Sequence, residues 1–122
     1  MEQRQYTRIP FVRRARVAWG NQAADVCCLE LSLCGLLLSQ PEHLLPWRPR
    51  QEFQLSLCLG EQRWIQMQCR LVHYDEDVFG CQIECLGVED LTRLFRILSF
   101  NLPSVQNELR QRIAVSHQVN PC

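Results

Sequence analysis

Two arginines four residues apart open the chain, in the segment Arg4-Gln5-Tyr6-Thr7-Arg8. Further along, Glu30-Leu31-Ser32-Leu33-Cys34-Gly35 puts a polar break into an otherwise apolar run. Planar guanidinium groups match two kinds of edge: phosphate oxygens, and the O6/N7 edge of guanine. A carboxylate, a hydroxyl and a glycine at a strand end supply the complement. They offer an acceptor for a base N–H, a donor to phosphate and close backbone approach. In combination these residues describe a pocket for an anionic guanine nucleotide. Glu30 also needs a partner of its own, because a poorly solvated carboxylate is costly unless paired. An arm arginine serves, or the N1–H and N2–H of a guanine.

Other chemistry finds less support. His43 sits in a proline-rich loop, His73 near a strand end and His117 in the tail, none within a nucleophile or metal motif. There is no glycine-rich phosphate loop. Asp75-Glu76-Asp77 reads as a solvated turn. The eight cysteines lack paired zinc-knuckle spacing, and Cys27 and Cys28 are adjacent. They read as small buried hydrophobes rather than ligands. The expectation is a protein without catalytic residues, metal or cofactor.

Balanced charge, thirteen basic and thirteen acidic residues, gives no whole-chain attraction to duplex nucleic acid or an anionic membrane. The first 24 residues nevertheless carry five arginines against Glu2 alone. The polar, arginine-rich start has no signal-peptide character, and no apolar run approaches the roughly 20 residues of a membrane span. A reducing cytoplasmic location, with free thiols, is the expectation.

These residues must be positioned by one domain of 122 residues. Residues 11–19 alternate as a first strand, with Phe11, Ala15, Val17 and Trp19 on one face. Gly20-Asn21 marks a turn. Residues 25–31 form a second strand, with Val26, Cys28 and Glu30 expected on one face and Cys27, Leu29 and Leu31 on the other. Residues 36–38 form a short third strand. Pro41, Pro46 and Pro49 make residues 40–50 an irregular loop. Alternation resumes over 52–59, 63–74 and 78–86, with a hairpin turn at Gly60-Glu61. The reading is an all-β, closed or nearly closed six-stranded antiparallel barrel followed by one or two helices. After Gly87 the period changes: Leu91, Leu94, Phe95, Leu98 and Leu102 recur at helical spacing, with Glu89 and Asp90 at the helix start. Pro103 ends that helix. Ser104 would cap a second, to about residue 115, striped by Val105, Leu109 and Ile113. The domain is thus 1–103, barrel, arm and first helix, with 104–122 as a dependent helical extension and tail.

The chain resembles the PilZ domain family, bacterial receptor modules for cyclic di-GMP. The family pattern is an Arg-x-x-x-Arg arm before the first strand, then Asp/Asn-x-Ser-x-x-Gly. Here Arg4 and Arg8 form the arm, continued by Ile9-Pro10-Phe11, and Glu30, Ser32 and Gly35 fall on the second motif. Gln68-Cys69-Arg70-Leu71-Val72 and Phe79-Gly80-Cys81-Gln82-Ile83 look like the family's last two strands. The resemblance implies that Arg4 and Arg8 clamp guanine edges and phosphates, that Ser32 reaches a phosphate or guanine, and that Gly35 admits backbone approach. Glu30 stands where Asp or Asn is usual, and Cys34 where a glycine is common. Gln3 stands where some relatives carry the extra arginine associated with a stacked ligand dimer, which favours one ligand per site. The function implied is a non-enzymatic bacterial receptor whose arm closes over cyclic di-GMP and signals to a protein partner. The alternative is a degenerate domain, silent toward nucleotide, acting as an interaction adaptor. The stripe on the second helix is then a candidate docking or homodimer surface.

Overall fold

The computed structural model describes residues 8–41 and 45–101. Six strands appear in order: β1 Ile9–Trp19, β2 Gln22–Leu31, β3 Gly35–Ser39, β4 Glu52–Gly60, β5 Arg63–Tyr74 and β6 Val78–Leu86. One helix, α1 Val88–Asn101, follows. The strands close into an antiparallel barrel in the order β1-β2-β3-β6-β5-β4. Closure leaves no continuous sheet edge, and inward positions alternate with outward ones along each strand. Ala15 and Val17 enter the core from β1, Phe53, Leu55 and Leu57 from β4, and Ile65, Met67, Cys69 and Leu71 from β5. The second helix expected over 104–115, and with it Leu102, lies outside the described residues.

Strict alternation fails wherever the pairing shifts register, and the shift in β2 matters for the site. Along β2, Cys28 pairs with Arg13 and Leu38, whereas Glu30 pairs with Pro10 and Leu37. Phe11 and Val12 on β1 therefore oppose Leu29 alone, while β3 offers Leu29 no partner. A bulge shifts the pleat by one residue, so Cys28 and Leu31, three apart, both enter the core. Glu30 is thereby turned to the outer wall, away from the face Cys28 occupies. Placing Val26, Cys28 and Glu30 together is thus corrected: an unbulged strand would drive a carboxylate into the barrel, at a cost of several kcal/mol, about 2–7 even for a neutral polar group. On β6, Glu84 is the extra residue facing the Gln68–Cys69 step of β5, and Leu86 takes the core position.

The two ends of the barrel are closed differently. At one end the proline-rich loop crosses over and inserts Trp47, which stacks on Trp19 with ring centroids 4.4 Å apart and tilts against Phe53 and Phe79. Its indole N–H donates to Gln40, whose own backbone N–H donates to the Asp77 carbonyl. At the other end, Leu94 and Leu98 of α1 are fully buried. Gly87 supplies the carbonyl for the first helical turn, and Asp90 accepts from the Gln66 backbone N–H, tying α1 to β5. An acidic first turn also complements the helix dipole.

Candidate functional site

Arg8, Glu30, Ser32 and Gly35 converge at the α1 end of the barrel, on the outer wall where β1, β2 and β3 meet. Pairing Ile9 with Leu31 brings the strand start directly beside the strand end. Arg8 and Glu30 are thereby neighbours although 22 positions separate them in sequence. Their charged groups lie 3.9 Å apart, with side chains 27% and 36% exposed. An ion pair so accessible contributes about 1 kcal/mol or less, so a multiply charged ligand competes with it readily. Glu30 Oε1 is shielded from solvent and receives no hydrogen bond; among the described residues it is the buried side-chain polar atom in that condition. An acceptor without a donor carries a desolvation penalty of about 1–3 kcal/mol, which an incoming N–H would relieve. Arg4 lies outside the described residues.

Ser32 is 2% exposed, and its hydroxyl is committed within its own turn. Oγ accepts from the backbone N–H of Cys34 at 3.3 Å and of Gly35 at 3.1 Å, and donates to the Gly35 carbonyl at 3.3 Å. That uses one donor and both acceptor positions of a hydroxyl. The Ser32 N–H also donates to the Gly35 carbonyl, and the Cys34 carbonyl accepts from Ile83 on β6. As placed, Ser32 builds the β2–β3 turn rather than projecting from it. Gly35 answers a packing demand: a Cβ there would run into the Cys81 carbonyl oxygen on β6. Its missing side chain lets β3 and β6 approach.

Below the site the wall is thiol-rich. The Cys28 thiol donates to the Glu30 carbonyl at 3.5 Å. Burial first, then the neighbouring Cys81 and Cys27 thiols, pushes it up to about 12, so it stays protonated. Cys69 is likewise raised, chiefly by burial. Cys27, Cys28, Cys34, Cys58, Cys69 and Cys81 are free thiols. Among the described residues, no group of three His, Cys, Asp or Glu side chains could hold a metal ion. Nor is any helix among them long and apolar enough to cross a membrane. Farther round the outer wall, Arg70 on β5 is held between Glu52, at 2.6 Å, and Glu84. A separate open cleft, lined in part by Trp19, Asn21, Arg48, Gln51 and Gln68, lies at the opposite end of the barrel.

A closed six-stranded antiparallel barrel, plugged by one helix, thus presents an arginine, a carboxylate and a serine-glycine turn on its wall. The model of the PilZ domain matches residues 2–100, and the chain belongs to the PilZ domain family. Its fold is similar to the PilZ domain with c-di-GMP of YcgR from Escherichia coli, with a TM-score of 0.66 and 15% identity over 93% of this chain and 98% of that one. It is also similar to the Bacillus subtilis inhibitor of motility (MotI/DgrA), with a TM-score of 0.63 and 16% identity over 77% of this chain. The chain spans about half the length of that inhibitor, 48%. At such identities the likeness shows a shared fold.

Proposed function

We propose that the chain is a non-enzymatic receptor for cyclic di-GMP, with Arg8, Glu30 and the Ser32–Gly35 turn forming the described part of the site and Arg4 completing it. The observation that carries this reading is the pair Arg8–Glu30: a guanidinium beside a shielded carboxylate oxygen that lacks a hydrogen-bond donor. A guanine presents both complements, an N1–H/N2–H edge for the carboxylate and an O6/N7 edge for the guanidinium. Membership of the PilZ family and the fold shared with a c-di-GMP-bound domain support the ligand. Binding exchanges the weak Arg8–Glu30 contact for charge-assisted bonds of about 1.5–3 kcal/mol each. The ligand shifts the arm by its differential affinity for the docked state, and the closed surface is read by a protein partner in the bacterial cytoplasm.

Titration calorimetry with cyclic di-GMP tests this. Wild type is expected to bind, and Arg8→Ala to bind about 10- to 100-fold more weakly. No heat from wild type at high micromolar ligand, or an Arg8→Ala variant that binds as well, removes the proposal.

A second reading has its own observation: Ser32 is wholly used inside its turn, and Cys34 narrows the floor beside it, with its sulfur 3.8 Å from the Ser32 hydroxyl. A domain silent toward nucleotide and acting as an adaptor would look like this. Calorimetry separates the two, since the adaptor releases no heat with cyclic di-GMP.

A further inference from the structure

The outer wall over β4 and β5 is uncharged where a wall facing solvent ordinarily carries charge. The two strands pair without a break from Glu52 and Arg70 to Cys58 and Trp64. Phe53, Leu55, Leu57, Ile65, Met67 and Cys69 point into the core, so the residues between them point out. Beyond the Glu52–Arg70 pair these are Gln54, Ser56 and Cys58 on β4, and Trp64, Gln66 and Gln68 on β5. None is charged, whereas a solvated surface carries charge at about 25–35% of its positions.

Gln54 and Gln68 oppose each other directly, and Gln66 lies opposite Ser56. The carboxamides of these glutamines make no hydrogen bond among the described residues, and each offers two donors and an acceptor. On β1, Ala18 lies opposite Gln54, and on β2, Ala23 lies opposite Ala18. The wall therefore steps down beside the glutamines. That step leads to the cleft at the Trp19 end, about 740 Å3, where Gln68 is joined by Asn21, Gln22 and Gln51. Trp64, 38% exposed, stands at the other end of the row, about 13 Å along β5 from Gln68.

These features select among ligands. Arg16 is neutralised by Asp25, and Arg70 by Glu52 and Glu84. Arg14 is left at the margin, with little net charge to hold a polyanion. From Gln54 to Leu57, β4 is paired on both sides, so a peptide finds no strand edge to extend. Uncharged sugars suit both parts of the surface. Their hydroxyls donate and accept as carboxamides do, and their C–H faces pack on an aromatic ring. We propose that this wall is a glycan site. It takes a short uncharged oligosaccharide, its hydroxyls held by Gln54, Gln66 and Gln68 and an apolar sugar face packed on Trp64. The site is separate from the wall that carries Arg8 and Glu30, and it does not rest on the nucleotide reading.

The test is a glycan array probed with the fluorescently labelled full chain, followed by calorimetry with the uncharged oligosaccharide that gives the strongest signal. Uncharged glycans are expected to bind. Trp64→Ala should weaken that binding at least about 5-fold, as loss of an aromatic anchor does, and Trp64→Phe only a few-fold. Gln54→Ala and Gln68→Ala should each weaken it about 2- to 12-fold, the worth of one hydrogen bond. Arg8→Ala should bind as wild type. In wild type the bound glycan should protect tryptophan fluorescence from acrylamide, and in Trp64→Phe that protection should be absent. A thermal melt within a few degrees of wild type excludes unfolding as the cause of any loss. An array on which no uncharged glycan binds overturns the proposal. So does binding that Trp64→Ala, Gln54→Ala and Gln68→Ala leave unchanged, or binding confined to acidic glycans and lost in Arg8→Ala.

Discussion

Glu30 reaches one methylene further than an aspartate would, and the geometry gives that length a consequence. Its Oε1 sits 3.9 Å from the Arg8 guanidinium, too far for a hydrogen bond and close enough for charge. Glu30→Gln keeps the shape, removes the charge, and offers an N–H where an acceptor is needed. Calorimetry is expected to show about 10-fold or greater loss of cyclic di-GMP affinity, the worth of one charge-assisted bond. Ser32→Ala should act on stability. It strips a hydroxyl that makes three hydrogen bonds in a buried turn, and should lower unfolding free energy by about 1–3 kcal/mol in a urea titration. Cys28 gives a pH signature. Its folded-state pKa is raised from near 9 to about 12, so the burial of its thiol favours the fold fully below about 9. That contribution is lost as pH rises from there toward about 12. Thermal melts between pH 8 and 11 should show wild type losing stability more steeply than Cys28→Val, which has no proton to release.

The elements place these side chains by interrupting their own regularity. The bulge at Leu29 rotates Glu30 outward, and the register that follows sets Gly35 against Gln82 on β6. Gly35→Ala would push a methyl into the Cys81 carbonyl and prise β3 from β6. Overpacking of this kind costs about 1–3 kcal/mol, and the Cys34–Ile83 hydrogen bond should lose amide-exchange protection with it. The plugs matter as much as the wall. Leu94, fully buried, closes the barrel beneath the site, and Leu94→Ala should cost about 2–5 kcal/mol by chemical denaturation. Trp47 closes the opposite end, away from Arg8 and Glu30. Its loss is expected to lower stability without changing ligand affinity in any variant that still folds.

For the molecule as a whole, the barrel and α1 already supply one continuous core. We propose that residues 104–122 depend on that core and that their Val105-Leu109-Ile113 stripe joins two copies of the chain. This segment lies outside the described residues, so the measurement must come from solution. Light scattering should find the full chain dimeric and a chain ending at Pro103 monomeric. A monomer in both cases disposes of the dimer. The cleft at the Trp19 end sits across the barrel from Arg8 and Glu30, so concavity and charge chemistry part company. The charge chemistry marks the candidate site on the wall that carries Arg8 and Glu30.

Period-two alternation, the glycine and proline breaks, and the change to helical spacing after Gly87 were enough to define the strands, their order in sequence and α1. Those signals are local, and burial of one face enforces them. The Arg-x-x-x-Arg and Glu-x-Ser-x-x-Gly motifs were legible for the same reason, since each is a short run of fixed spacing. Tertiary structure decided the rest. Nothing in the run Cys28-Leu29-Glu30 specifies a bulge, so only pairing with β1 and β3 shows Glu30 facing outward. Ser32 and Gly35 are defined by partners on the turn and on β6, which no spacing rule connects. His73 and Gly80 are unremarkable along the chain, and become neighbours only once the barrel closes and pairs β5 with β6.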